Sequence, residues 1–322
     1  MIKILKSNKF LSLLLTIICI IIMFNPIVYT KSCLNAISVW AFKVLPVMFP
    51  FFIFTRLIVN LNTTKKNFLD KFFNKTFNTS SRSFSTFFLS ALSGYPVGAK
   101  LICAMYENRQ ISQSEAKKMF SFCSVSGPMF MLGTIGLAML NSFKSGIIIL
   151  ISNITGCLLN GLIYRGKKEN LKNNINYSNS KTNILSDSIH DSLISILMVG
   201  SYIVLSFIFI DILNNLKIIP TATNLICNIF NCGDHREVIN SIFNGLIEIT
   251  RGILDLSRST LSLQVKTIIS STLIGFGGIS ILLQSLSFLS RVNIPVKSML
   301  LQKITQSILC FIVTLILSLT FF

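Results

Sequence analysis

The sequence predicts an all-α, polytopic membrane protein. Hydrophobic residues make up 52% of the 322-residue chain, charged residues only 12%, and the mean hydropathy is +0.70. Soluble domains carry roughly 25% charged residues, so one water-facing globule cannot hide this much apolar surface. The apolar residues also occur in runs that approach or exceed the roughly 20 residues needed to cross a bilayer.

About nine hydrophobic segments follow one another along the chain. The first has a basic start but no small-residue cleavage site after it, so we expect a retained membrane helix rather than a signal peptide. The segments cover residues 10–28, 34–60, 84–105, 119–140, 146–164, 188–213, 238–256, 266–290 and 298–321. The predicted organisation is an N-terminal membrane helix (1–33), a first repeat (34–164), a polar basic linker (165–187) and a second repeat (188–322).

The net charge of +18 comes from 29 Lys and Arg residues against 11 Asp and Glu residues. These cations lie mostly between apolar runs, which favours loops that set topology and contact anionic headgroups over nucleic-acid binding. Both basic loops, 61–82 and 165–187, are expected on the cytoplasmic side, yet three apolar runs separate them. Either one run does not cross the membrane, or one loop departs from the positive-inside rule. The conflict indicates a broken or re-entrant segment, which is tolerated only where protein or a cavity surrounds it.

The two halves of the chain share one order of features. Each has a run with an internal helix breaker, a segment with charge inside it, a break rich in small residues and a plain span. Paired interrupted segments are typical of transporters built from inverted repeats. The pairs are 40–54 with 193–210, 93–100 with 245–257, 123–136 with 273–284, and 146–164 with 298–321.

The stretch SGYPVGAK at 93–100 predicts an interrupted helix. Ser93 and Gly94 loosen the chain, and Pro96 suits the first position of a new helix, where its missing N–H costs nothing. The free N–H groups of that start attract anions, and Lys100 adds a full charge one turn later. Alternatively, Gly94 and a second glycine form a packing face and Lys100 reaches the membrane surface.

Two further breaks have the same character. Ser126 and Gly127 precede a proline, which indicates either a second helix start or a packing kink. The stretch GFGG at 275–278 disfavours a helix by about 1 kcal/mol per glycine relative to alanine, and it is either a substrate-binding break or a hinge. Its candidate site residues are Gly277, Gly278, Ser280 and Gln284.

The stretch GLIEITRGILDLSRS carries charges at helical spacing. Glu248, Arg251, Asp255 and Arg258 share one face if the segment is a continuous helix, and Arg251 can pair with either carboxylate. Charges at the bilayer centre cost about 2.5–3.5 kcal/mol each on insertion scales, so a functional role is as plausible as a neutralised structural stripe.

Motifs for other chemistry are absent from the sequence. It has no P-loop, no HExxH and no nucleophile elbow, so we expect no enzyme activity. A membrane enzyme would have to use His190, His235, Glu248 and Asp255. Cys227, Cys232 and His235 lack a fourth ligand at zinc spacing, so no metal or cofactor is expected. The sequence makes no prediction of an oligomeric state.

The segments SALSGYPVGAKL, FCSVSGPMFMLGTIG, GLIEITRGI and GFGGIS resemble the YlbJ/SpoVV-type sporulation integral membrane proteins. The resemblance covers roughly residues 34–310 and implies a gate, or nucleoside-recognition, domain present twice. The stretches WAFKVLPVMFPFF and GFGGISILLQSL are also similar to the hairpin and broken-helix stretches of concentrative nucleoside transporters. The run over 34–60, which has Pro46 and Pro50 near its middle, is either a kinked span or a hairpin of two short helices. The nucleoside carriers have a polar Gln-Thr-Glu sequence at the position of residues 94–100 of this chain. The acidic position in the second half of those carriers falls near Glu248. Replacing the first carboxylate by Lys100 favours an anionic substrate.

The resemblance implies a secondary transporter in a membrane around the forespore, with dipicolinate as the cargo. A sporulation protein that recruits an assembly without transporting is the alternative. The predicted partners are a small anionic substrate and anionic lipid headgroups, with no nucleic acid. The predicted substrate-binding residues are Ser93, Gly94, Tyr95, Pro96, Gly98, Lys100, Ser126, Gly127, Glu248, Thr250, Arg251, Gly277, Gly278, Ser280 and Gln284.

Overall fold

The structure, a computed structural model, describes residues 8–61, 68–79, 83–167 and 183–322. These residues form helices and no strand, which confirms the all-α prediction. Five helical stretches are long and apolar enough to cross a membrane, so the protein is a multi-pass membrane protein. They are Pro26–Leu57, Phe143–Ile163, Ile184–Asn215, Leu263–Val292 and Val296–Phe321. The count of nine segments stays a prediction.

The N-terminal part of the chain is one long helical run after a short break. Helix α1 (Asn8–Phe24) ends before Asn25, and Pro26 occupies the first turn of α2 (Pro26–Val39), where its missing N–H is harmless. A π-helical turn (Trp40–Val44) leads directly into α3 (Leu45–Leu61). The run over 34–60 is therefore not a hairpin, and the predicted boundary after residue 33 falls inside α2.

The rest of the first half consists of shorter helices around one long one. The helices are α4 (Phe68–Phe77), α5 (Ser83–Ser93), α6 (Val97–Glu107), α7 (Gln113–Cys123), a π-helical segment (Phe130–Met139) and α8 (Phe143–Ile163). The interruptions between α5 and α6 and between α7 and the π-helical segment confirm the broken segments predicted from the charge of the loops.

The second half begins with the longest helix and also contains broken ones. Its helices are α9 (Ile184–Asn215), α10 (Ile218–Phe230), α11 (Arg236–Ile247), α12 (Ile249–Ser257), α13 (Leu263–Phe276), α14 (Gly278–Leu289) and α15 (Val296–Phe321). Single 3₁₀ turns precede α11 and α15. The predicted run over 238–256 is thus two helices, because the chain breaks at Glu248.

The two halves place corresponding features at one constant sequence separation. Ser112 and Ser262 each cap a helix by accepting a hydrogen bond from the backbone N–H three residues on. Gly127 and Gly277 each lie at the break that follows that helix. The division into two repeats stays a prediction, and this register supports it.

Two apolar clusters hold the halves together. One joins α3, the π-helical segment, α9, α12 and α13, and the other joins α4 to α8 with α14 and α15. Their fully buried members include Met131, Ile135, Phe207, Ile253 and Ile274 in the first cluster and Ile102, Met119, Phe120, Phe122 and Met299 in the second. Elements of both halves contribute to each cluster, so the helices that carry the breaks of both halves are packed together.

We expect Gly94→Ala to destabilise the fold by about 1–3 kcal/mol. The φ angle of Gly94 is +72°, and an added Cβ would lie 2.6 Å from the backbone nitrogen of Gly127. Gly233→Ala is the control, because its Cβ would meet no atom within 4 Å. Thermal unfolding of the detergent-purified variants measures both effects. Equal melting temperatures for the two variants would show that the two breaks do not pack as described.

Candidate functional site

The break between α5 and α6 lies where the sequence predicts it. Helix α5 ends at Ser93, Gly94 is left-handed, and the Tyr95–Pro96 peptide bond is cis. Helix α6 then begins at Val97 with Pro96 as its N-cap residue. The predicted interruption at 93–95 and the predicted start near Pro96 are confirmed.

The break after α7 packs directly against this first break. Residues 124–127 are not helical, and Gly127 lies so close to Gly94 that a Cβ added at Gly94 would be 2.6 Å from the backbone nitrogen of Gly127. Asn153 of α8 accepts a hydrogen bond from the backbone N–H of Ser126 at 3.4 Å. The second helix start predicted at Ser126-Gly127-Pro128 is therefore present, and its backbone is supported from α8.

The helix break at Glu248 was not predicted from the sequence. Glu248 has extended backbone angles (φ −143°, ψ 119°) between α11 and α12 and is 5% exposed. Its carboxylate accepts hydrogen bonds from the Thr250 hydroxyl and from the backbone N–H of Arg251 at 2.9 Å. The carboxylate thus caps α12, and a negative side chain is favoured at that helix N-terminus.

The fourth break, at Gly277 and Gly278, confirms the interruption predicted in GFGG. Both glycines have positive φ angles, +89° and +68°. Helix α14 starts at Gly278 and carries Ser280 and Gln284, both of which are buried. These two polar side chains of α14 are thereby held inside the protein.

A single pocket collects residues from these breaks. Its walls combine one carboxylate, one carboxamide, hydroxyl groups and apolar side chains from both halves of the chain. It is lined by Met48, Tyr95, Ser126, Gly127, Phe130, Val199, Ile203, Glu248, Ile249, Thr250, Ile281 and Gln284. An apolar pocket with a few convergent polar groups is the usual form of a small-molecule site.

The structure brings together part of the predicted site. The predicted residues that line the pocket are Tyr95, Ser126, Gly127, Glu248, Thr250 and Gln284. The others do not line it: Ser93, Gly94, Pro96, Gly98, Lys100, Arg251, Gly277, Gly278 and Ser280. Of these, Ser93, Gly94 and Gly98 are buried next to the breaks and shape the backbone rather than the pocket wall. His190 and His235 are both exposed and also lie outside the pocket lining.

The guanidinium of Arg251, a predicted substrate-binding residue, has carboxylate partners within the protein. It contacts Asp255 at 3.1 Å and Asp211 at 3.5 Å, and it lies over the Phe207 ring. The predicted Arg251–Asp255 pair is present. The predicted Glu248–Arg251 ion pair is not, because Glu248 binds the backbone N–H of Arg251 instead.

The cation next to the pocket is Lys303 rather than Lys100. Lys100 is exposed on α6, whereas Lys303 of α15 is 1% exposed and donates a hydrogen bond to the Tyr95 hydroxyl at 2.8 Å. The apolar composition of residues 298–321 predicted an uninterrupted span, so Lys303 was not among the candidate residues. A lysine inside a 26-residue apolar helix, flanked by Gln302 and Gln306, was the available signal.

The residues that line the pocket suit a small polar ligand rather than a metal ion. Among the described residues, no group of three or more His, Cys, Asp and Glu side chains is placed to hold a metal. Tyr95, Thr250 and Gln284 supply groups that can form hydrogen bonds, while the apolar walls accept a ring or a short chain. Glu248 is the one acidic group in the pocket lining.

Comparison with known proteins gives one informative match. The sporulation integral membrane protein YlbJ of Bacillus subtilis (strain 168) is 26% identical over 302 residues, which cover 85% of this chain and 74% of the relative. The predicted resemblance to the YlbJ-type family is confirmed. The description of YlbJ as an integral membrane protein agrees with the five spanning-capable helices. No family model matches the chain, and no solved structure matches it.

We expect Arg251→Ala to lower the free energy of unfolding by about 1–3 kcal/mol, because Asp211 and Asp255 lose their charged hydrogen-bond donor. Arg251→Lys should have an intermediate effect, since it keeps the charge but not the planar fork. Arg258→Ala is the control, because Arg258 is exposed at the end of α12. Thermal unfolding in detergent measures all three. A melting temperature of Arg251→Ala equal to that of Arg258→Ala would contradict a stabilising role.

Proposed function

We propose that this protein is a secondary transporter of a small anionic substrate that acts during sporulation. The observation that carries the proposal is the pocket itself. Its polar lining comes from interrupted helices of both halves, at Tyr95, Ser126, Glu248 and Gln284. Substrate sites built from broken helices at a repeat interface are characteristic of secondary transporters.

The charge of Glu248 determines what such a transporter must do. An anionic substrate in the pocket would be repelled by an ionised Glu248, and this repulsion is strong in a buried site. Binding of the anion therefore goes together with uptake of a proton by Glu248. Glu248 is then the coupling acid, and the protein carries the anion together with a proton.

The chemistry of the pocket and the relative YlbJ support the proposed substrate class. The apolar walls formed by Met48, Phe130 and Ile203 suit an aromatic ring, and the hydrogen-bonding groups suit carboxylates. The relative YlbJ is named as a sporulation protein. The YlbJ/SpoVV-type resemblance implies dipicolinate, moved into the forespore, as the cargo.

Alternating access would use the contact between the halves. The first break, around Gly94, packs on the second, around Gly127, while Glu248 and Gln284 lie on helices of the other half. Rocking of one half against the other would open the pocket first to one side of the membrane and then to the other.

We expect purified protein in sealed vesicles to accumulate labelled dipicolinate when a proton gradient points inward, and a proton uncoupler should abolish the accumulation. Glu248→Gln should lose gradient-driven accumulation, because its side chain cannot take up a proton. Glu237→Gln is the matched control, since Glu237 is exposed at the start of α11.

Wild-type vesicles that take up neither dipicolinate nor other small carboxylates would refute the transporter proposal. Retained function in sporulating cells would then favour the non-transporting alternative. Undiminished accumulation by Glu248→Gln would leave a transporter but remove Glu248 as its coupling acid.

A further inference from the structure

Lys303 is a fully buried cation for which the proposed transport mechanism has so far given no role. Its ammonium group donates to the Tyr95 hydroxyl at 2.8 Å, to the Gln306 carboxamide oxygen at 2.8 Å, and to both oxygens of Ser124 at 3.3 Å. It also lies 4.9 Å from the centroid of the Tyr95 ring. All of these partners are neutral. Among the described residues, no carboxylate oxygen comes within salt-bridge distance of this ammonium group.

A buried charge without a counter-ion is costly, and native proteins usually pair it. The other buried lysine in the described part of the chain, Lys118, differs in its position. It donates to the backbone carbonyl of Asn78, just after α4, and to that of Lys167, in the loop after α8. Lys303 instead contacts both halves: its ammonium group donates to Tyr95 and Ser124, and its Cε would lie 3.2 Å from a Cβ added at Gly277. Its location therefore calls for an explanation beyond helix packing.

Tyr95 connects Lys303 to the pocket. Its side chain lines the pocket, and its hydroxyl accepts from Lys303 while donating to the Ser124 carbonyl at 3.0 Å. A negative group in the pocket beside Tyr95 would thus be separated from the ammonium only by the phenol. In a low-dielectric interior such a charge acts strongly over this separation.

We propose that Lys303 is the positive charge that makes the pocket select an anion, acting through Tyr95 as a specificity-determining residue. This inference rests on the proposed function for the pocket but not on transport itself. A carboxylate bound beside Tyr95 completes the ion pair that Lys303 lacks within the described residues. The chemical class it selects is a small carboxylate over its neutral amide analogue.

The test compares binding of benzoate and benzamide, which differ in charge but little in shape. Binding to detergent-purified protein is measured by calorimetry, so transport is not required. Wild-type protein should prefer benzoate by roughly tenfold or more. Lys303→Met should lose that preference through weaker benzoate binding while its benzamide binding stays unchanged. Lys303→Arg should keep a preference for benzoate.

Lys266→Met is the matched control, because Lys266 also lies on a long apolar helix but binds the carbonyl oxygens of Ser257 and Ser259, outside the pocket lining. It should keep the wild-type preference. If Lys303→Met does not fold, Tyr95→Phe tests the same link, since it removes the hydroxyl that joins Lys303 to the pocket, and it should reduce the preference for benzoate.

Three outcomes would overturn the inference. They are equal affinity of the wild type for benzoate and benzamide, an unchanged preference in Lys303→Met, and, where that variant does not fold, an unchanged preference in Tyr95→Phe. Benzoate binding that depends on Lys303, with no carboxylate uptake in vesicles, would support the inference while refuting the transporter. Carboxylate uptake in vesicles, together with a preference for benzoate that does not depend on Lys303, would support the transporter and refute the inference.

Discussion

Every interrupted helix inside a membrane protein must find partners for the backbone groups that the interruption frees, because lipid offers none. This protein meets that requirement by packing its breaks against each other and against neighbouring helices. Gly94 and Gly127 are in backbone contact, Asn153 supports the N–H of Ser126, and the Glu248 carboxylate caps α12. The pocket exists because these satisfied breaks meet at one point; with unbroken helices, the same positions would be filled by side chains.

The two buried charges around this meeting point are held by neutral hydrogen-bonding groups and do not contact each other. Glu248 lines the pocket and is held by a hydroxyl and a backbone N–H, whereas Lys303 lies behind Tyr95 among neutral groups. Direct pairing of the two would cancel both charges and leave an inert core. In the proposed transport cycle, a proton would neutralise Glu248 and an anion would balance Lys303. Binding of an anion together with a proton would leave the net charge of the interior unchanged, which avoids the cost of an uncompensated buried charge.

Much of this architecture could be predicted from residue types with strong local effects. Proline and glycine determine backbone geometry by themselves, so the breaks at Gly94, Gly127 and Gly277 were visible in the sequence. The break at Glu248 was not, since GLIEITRG contains no residue that forbids a helix and the extended backbone there is stabilised by capping and packing. Arg251 and Lys100 were assigned to the substrate because sequence shows charge but not partners. Lys303 was not predicted, because the sequence of a long apolar helix does not show which of its faces packs against another helix.

The near-symmetry of the halves explains why the cation lies where it does. Asn153 and Lys303 are separated by the same number of residues as Gly127 and Gly277, and each reaches the break of its own half: Asn153 at Ser126 and Lys303 at Gly277. A neutral amide suffices to hold a backbone N–H, so Asn153 only supports its break. The lysine at the matching position extends past its own break to Tyr95 of the other half. In the predicted two-repeat arrangement the scaffold is therefore repeated while the charge is not, and the proposed anion site takes its cation from the second half alone.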